Sequence, residues 1–156
     1  MSVIDYVDGH TYQVSELQRD YRSIVGVARA GAARIRDKDG MTLVLAPAAD
    51  VDRGKALIEL MRDLIQLEHA LRLPREQRHV TMFGRCAWAQ PLTDEALQEL
   101  IHELGDALLA ASSTGSMSEM GDLLYSWRAT AAIEADPELA EHLRVNEDQP
   151  LTDVEL

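Results

Sequence analysis

The sequence predicts an α+β fold: a small N-terminal unit of β-strand, helix and β-hairpin, followed by a mainly helical extension. Two observations carry this. Asp39-Gly40 lies between two short β-prone runs, and glycine accepts the positive φ that tight hairpin turns require. Beyond Pro47, apolar residues recur at helical spacing in three successive stretches. The chain has 156 residues, 46% of them apolar, which fits one domain or a small domain with an extension. With one Phe, two Trp and four Tyr, its core must be built mainly from aliphatic side chains.

Taken in order, His10–Val14 is a short strand candidate. Ser15 with Gln18 fits a capping box that opens a helix. Leu17, Tyr21, Ile24 and Ala28 form its apolar face, and Gly31 is placed to end it in a left-handed conformation. Gln18, Arg19, Arg22 and Arg29 lie roughly 100–200° from Leu17, on the opposite face. Next come strand 32–36, turn 37–40 and strand 41–46, closed by Pro47. Strand alternation puts Ile35 on one face and Arg34 with Arg36 on the other.

Asp50 or Asp52 can cap a helix that runs to about Leu73 and stops at Pro74. Leu57, Leu60, Met61, Leu64 and Leu71 form its stripe, widened by Ile58, Ile65 and Leu67. This is broader than one contact requires: either it is fully covered within the monomer or it also makes a dimer seam, with Ile58, Leu60 and Leu64 as the seam residues. Residues 74–90 break the helical period; 79–83 reads as a short strand, and Trp88 anchors the segment. Two helices follow with matched spacing. One is capped by Thr93 and carries Leu97, Leu100, Ile101, Leu104 and Leu108. The other is capped by Ser118 and carries Met120, Leu123, Leu124, Trp127 and Ala131. Asp136-Pro137 opens a short last helix with Leu139 and Leu143, and the tail from 146 to 156 is acidic and expected to be mobile.

The stretch VSELQRDYRSIVGVARAGAARIRDKDGMTLVLAP, Val14 to Pro47, resembles the N-terminal domain of Phd/YefM-type antitoxins. The resemblance extends over roughly residues 10–65. It implies a dimeric, DNA-binding repressor of its own operon whose C-terminal segment wraps and blocks a toxin. Arg36 matches the basic hairpin position such antitoxins use on DNA, with Lys38 beside it. The first helix of the family shows Arg three residues after the Ser and Asn two further on. Here those positions are Gln18 and Asp20, with Arg19 between them; Gln18 can read a base edge or hold a phosphate, whereas Asp20 would repel one. The DNA-binding set is therefore Gln18, Arg19, Arg22, Arg36 and Lys38.

Charge divides the chain in the same sense. Residues 1–46 hold six basic and six acidic residues, and 47–85 hold seven and six. Residues 86–156 hold Arg128 and Arg144 against fifteen acids. An acidic arm suits a basic, RNA-binding toxin; its helices either pack on each other as a hairpin or lay Leu123, Leu124, Trp127 and Leu139 into a groove on that partner. The expected organisation is a DNA-binding and dimerisation domain over 1–73, a linker over 74–90, a partner-binding extension over 91–145 and the tail. Operator DNA, a cognate toxin and a second copy are the expected partners. An orphan regulator without a toxin and a non-DNA interaction scaffold are the alternatives.

Catalysis finds no constellation. Glu99 and His102 have di-iron spacing, but only one such motif is present and both project from the polar side of their helix. His79 and Cys86 are too few for a tetrahedral metal site. No cofactor, metal or enzyme activity is expected. The chain shows no spanning apolar run and no secretory pattern at its start, so a cytoplasmic protein without membrane contact is expected.

Overall fold

A computed structural model describes residues 6–136 and 138. It is mixed α+β, with a three-stranded sheet and otherwise mostly helix. The chain divides into two compact units, Met1–Ile58 and Glu59–Leu156. The boundary falls inside a helix, not at the expected residue 73.

In the first unit, β1 (Tyr6–Gln13) pairs parallel with β2 (Ala32–Arg36), and β2 pairs antiparallel with β3 (Thr42–Leu45). Between β1 and β2 the single expected helix is two, α1 (Val14–Arg19) and α2 (Tyr21–Ala30). Asp20 breaks it at φ −135°, ψ 50°, and its carboxylate accepts the Ser23 N–H at 3.4 Å. Aspartate competes with the helical backbone and satisfies a free N–H at a helix start. The α1 cap also differs from the expected pair: Glu16 reaches back to the Gln13 N–H, two residues earlier than Ser15 with Gln18. Gly31 ends α2 at φ 171°, outside the left-handed region.

Ile24 and Ala28 of α2 pack on Ala33 of β2, with Tyr12, Leu17, Val27 and Leu45 around them. The break releases Tyr21 from that stripe, leaving it 55% exposed. The hairpin forms as expected. Gly40 has φ 86°, and the Asp37 N–H donates to the Met41 carbonyl at 2.8 Å.

Helix α3 (Ala48–Leu71) starts directly after Pro47, whose carbonyl accepts the Asp50 and Val51 N–H groups. Neither Asp50 nor Asp52 therefore caps it; Asp50 lies in the first turn and pairs with Arg53 at 2.5 Å. In the second unit, Leu60, Leu67 and Ala70 of α3 are buried. Residues 79–83 are not a strand. Arg75–Gln77 and Val80–Ala89 form 3₁₀ turns, the second kinked at Gly84 (φ 53°, ψ −123°). This segment is more than a linker, because Phe83, Cys86 and Ala89 are buried in the unit's core.

Helices α4 (Asp94–Thr114) and α5 (Ser118–Ala135) pack as a hairpin. Thr93 caps α4 by accepting the Ala96 N–H at 3.1 Å. Leu97, Leu100, Leu104 and Leu108 are its buried stripe. Met117, not Ser118, occupies the cap position of α5, with no side-chain bond to the helix.

Arg78 ties the unit together. Its side chain is 5% exposed and donates to the Leu73 carbonyl at 2.8 Å and the Leu71 carbonyl at 3.3 Å. On its other side it grips both Asp94 oxygens, at 2.6 and 3.1 Å. One guanidinium thus serves the carboxyl end of α3 and the first residue of α4, where helix dipoles favour a cation and an anion respectively.

Candidate functional site

In the first unit the sheet register determines what lies near the basic residues. Gln13, the last residue of β1, pairs with Arg36, the last of β2, and Arg36 pairs across with Thr42. Since α1 follows Gln13 directly, Arg36 stands beside the root of α1. Lys38 lies in the turn just beyond. Gln18, Arg19, Arg22, Arg36 and Lys38 are all exposed. Arg34 and Arg36 are exposed while Ile35 between them is 5% exposed, as strand alternation requires. Arg34 shares the exposed face of Arg36, and that alternation was the signal for adding it to the site.

Local contacts hold several of these side chains. Arg19 Nε donates to the Ser15 carbonyl at 3.3 Å. The Arg22 guanidinium lies 5.8 Å from the centre of the Tyr21 ring and donates to its hydroxyl at 3.2 Å. Tyr21, expected in the core, thus serves as a platform for Arg22. Nearby acids are engaged with backbone: Asp20 caps α2, Asp37 accepts the Lys38 N–H, and Asp39 accepts the Met41 N–H. Among the described residues no carboxylate is held in an ion pair with Arg19, Arg22, Arg36 or Lys38, so the surface can present these cations to a phosphate chain.

The residues expected at a dimer seam separate. Ile58 is 58% exposed and Leu64 is partly buried. Leu60, at 8%, is covered within its own chain and offers little surface to a second copy. On α3, Met61 and Ile65 are exposed at 56% and 59%, candidates that the breadth of the stripe already contained.

The second unit places Leu123, Leu124 and Trp127 in partly buried positions, and the Trp127 indole N–H donates to Glu103 of α4 at 2.7 Å. Trp127 is therefore engaged by the hairpin itself. Leu139 lies outside the described residues. Exposed positions on the hairpin include Glu95, Glu99, Asp106, Glu119, Asp122 and Tyr125. His102 is 3.6 Å from Asp106 on the same outer side.

Cys86 is buried, and burial pushes its thiol up to about 11, which leaves it neutral and inert near pH 7. Beside it Asp63, whose side chain is 7% exposed, is paired with Arg85 at 2.6 Å. Arg85 also pairs with Glu59. Those two carboxylates hold the Arg85 guanidinium well above its ordinary value. Arg78 in turn holds the Asp94 carboxyl below the usual carboxylate range. Among the described residues no group of three or more His, Cys, Asp or Glu is arranged to hold a metal ion, and no helix is long and apolar enough to cross a membrane.

Comparison with family models, curated proteins and solved structures finds no match for this chain.

Proposed function

We propose that this chain is an antitoxin-like repressor, its N-terminal unit binding operator DNA as a dimer and its acidic helical half holding a basic toxin. The observation that carries the reading is the register Gln13–Arg36. It brings the root of α1 and the basic end of the hairpin to one end of the sheet, with Gln18, Arg19, Arg22, Arg36 and Lys38 exposed. The order of strand, helix and basic hairpin, on which the resemblance to Phd/YefM-type antitoxins rests, supports it. So does the confinement of the surplus negative charge to residues 86–156.

In this reading Ile58 and Leu64, joined by Met61 and Ile65, meet the second copy. The toxin meets the outer acidic side of the α4–α5 hairpin, because Leu123, Leu124 and Trp127 are partly buried and Trp127 already bonds Glu103. Electrostatic complementarity of this kind mainly raises the association rate and excludes wrong partners.

The alternative of a scaffold or orphan regulator gains one specific observation. The Trp127–Glu103 bond shows anchors serving their own hairpin. Expression of the chain with its native neighbouring genes, followed by affinity purification and mass measurement, separates the readings. An antitoxin brings down a small basic protein and retards its own promoter in a gel shift. An orphan regulator retards the promoter alone, and a scaffold does neither.

A further inference from the structure

Residues 86–156 contain fifteen acids and two basic residues. Of these two, Arg128 lies within the described residues and Arg144 does not. Although its half of the chain is acidic, Arg128 makes no salt bridge among the described residues. Its guanidinium lies 5.6 Å from the centre of the Trp88 ring. There it lines a cavity of about 240 Å³ inside the second unit, with Leu60, Leu104 and Leu124 as apolar wall.

Two other charged groups reach this cavity, and they satisfy each other. Arg85 donates through Nε and Nη2 to the Asp63 carboxylate at 3.1 and 2.6 Å, and through Nη1 to Glu59. All three nitrogens of Arg85 are thus occupied, and the Asp63 charge is met. The cation with donors to spare is Arg128. A polar group held at the mouth of an apolar cavity is the usual composition of a small-molecule site, since the apolar wall supplies burial and the charge fixes orientation. The volume limits the ligand. It is smaller than the roughly 300–1,000 Å³ typical of drug-sized ligands, which excludes a nucleotide and leaves room for a body of about one ring or one branched chain.

We propose that this cavity binds a small organic carboxylate, its anion on Arg128 and its compact apolar body between Trp88 and the Leu60–Leu104–Leu124 wall. The site belongs to the second unit alone, and its existence does not depend on the antitoxin reading. The planar guanidinium matches a carboxylate in two parallel hydrogen bonds, and stacking on Trp88 holds it in place for that geometry.

The test is calorimetric titration of the full chain with benzoate, phenylacetate and isovalerate. Benzamide serves as the neutral counterpart of benzoate, and inorganic phosphate as an anion without an apolar body. At least one carboxylate should bind at one site per chain, benzoate at least about tenfold tighter than benzamide if it is the one that fits. Arg128→Gln should weaken that binding tenfold or more, and Arg128→Lys should lose less. Because Arg128 is exposed, both variants should keep the circular dichroism of the parent. Leu124→Trp, which fills the cavity, should abolish binding while the helical signal persists. Failure of all three carboxylates overturns the proposal. So does binding that Arg128→Gln leaves unchanged, or phosphate binding as tightly as the best carboxylate.

Discussion

Replacing Arg36 by alanine should change how DNA binding responds to salt, by an amount that follows from the exposed charge. Each protomer presents Arg19, Arg22, Arg36 and Lys38 to solvent. A dimer therefore offers about eight cations, and at about 0.9 counterions released per phosphate the slope of log K against log salt is about −7. Between 50 and 200 mM salt, affinity should fall by about four orders of magnitude. Arg36→Ala removes two of the eight contacts, so the slope should relax to about −5 and the loss to about three orders. Folding should be untouched, since Arg36 is exposed at the end of β2 while Ile35 faces the core. Fluorescence anisotropy of a labelled promoter fragment, titrated at five or six salt concentrations, measures the slope directly. An unchanged slope in the variant would show that the hairpin does not touch phosphate, and the assignment of this surface would fall.

Other perturbations separate the remaining roles. Ile58→Asp should yield a folded monomer by light scattering, because Ile58 is 58% exposed, whereas Leu60→Asp should unfold the chain by burying an unpaired charge; a parent protein that is already monomeric at micromolar concentration would refute the seam. Gly84→Ala should cost about 1–3 kcal/mol in urea unfolding, since its φ of 53° and ψ of −123° suit glycine alone and a Cβ there would meet Gln66 Oε1. An unchanged midpoint would count against the kink. Asp94 is held below its unfolded value of about 3.9, so its contribution is complete above that pH and is lost as pH falls through the lower folded value. Asp94→Asn should therefore flatten the acid limb of a stability–pH curve, and an identical limb would argue against the Arg78 clamp. Trp127→Phe should lower the stability of the α4–α5 hairpin without any partner present, measured by thermal melting, because it removes the bond to Glu103.

Much of the fold was legible where one local rule acted without competition. Asp39-Gly40 determined the hairpin, and the Leu97, Leu100, Leu104, Leu108 spacing identified the buried face of α4. Thr93 marked the start of α4, since a hydroxyl before an acidic first turn has few other uses. The misreadings arise where two rules compete. Asp20 sits inside an uninterrupted apolar period, and its carboxylate gained more by capping α2 than α1 gained by continuing. Residues 79–83 have the composition of a strand, but no described strand pairs with them, and from Val80 the chain winds into 3₁₀ turns that Gly84 kinks. The basic surface was legible as alternation along β2, whereas its convergence with α1 depends on parallel pairing of β1 with β2, which composition does not encode. Trp127 could be recognised as an anchor, but its binding to Glu103 depends on how two helices face each other.

The break at Asp20 has a consequence for how the proposed DNA-binding surface can diversify. α1 contributes no fully buried side chain, while Ile24 and Ala28 of α2 carry the packing. Apart from Leu17, which packs at the rim of the core, α1 is thereby released from the steric demands that constrain α2, so substitutions at Gln18 or Arg19 can accumulate at little cost to folding. Were the helix continuous, any reorientation of its exposed side would also rotate its core side. Separated at Asp20, the two segments can drift independently, and closely related chains could acquire different nucleic-acid preferences on an unchanged scaffold.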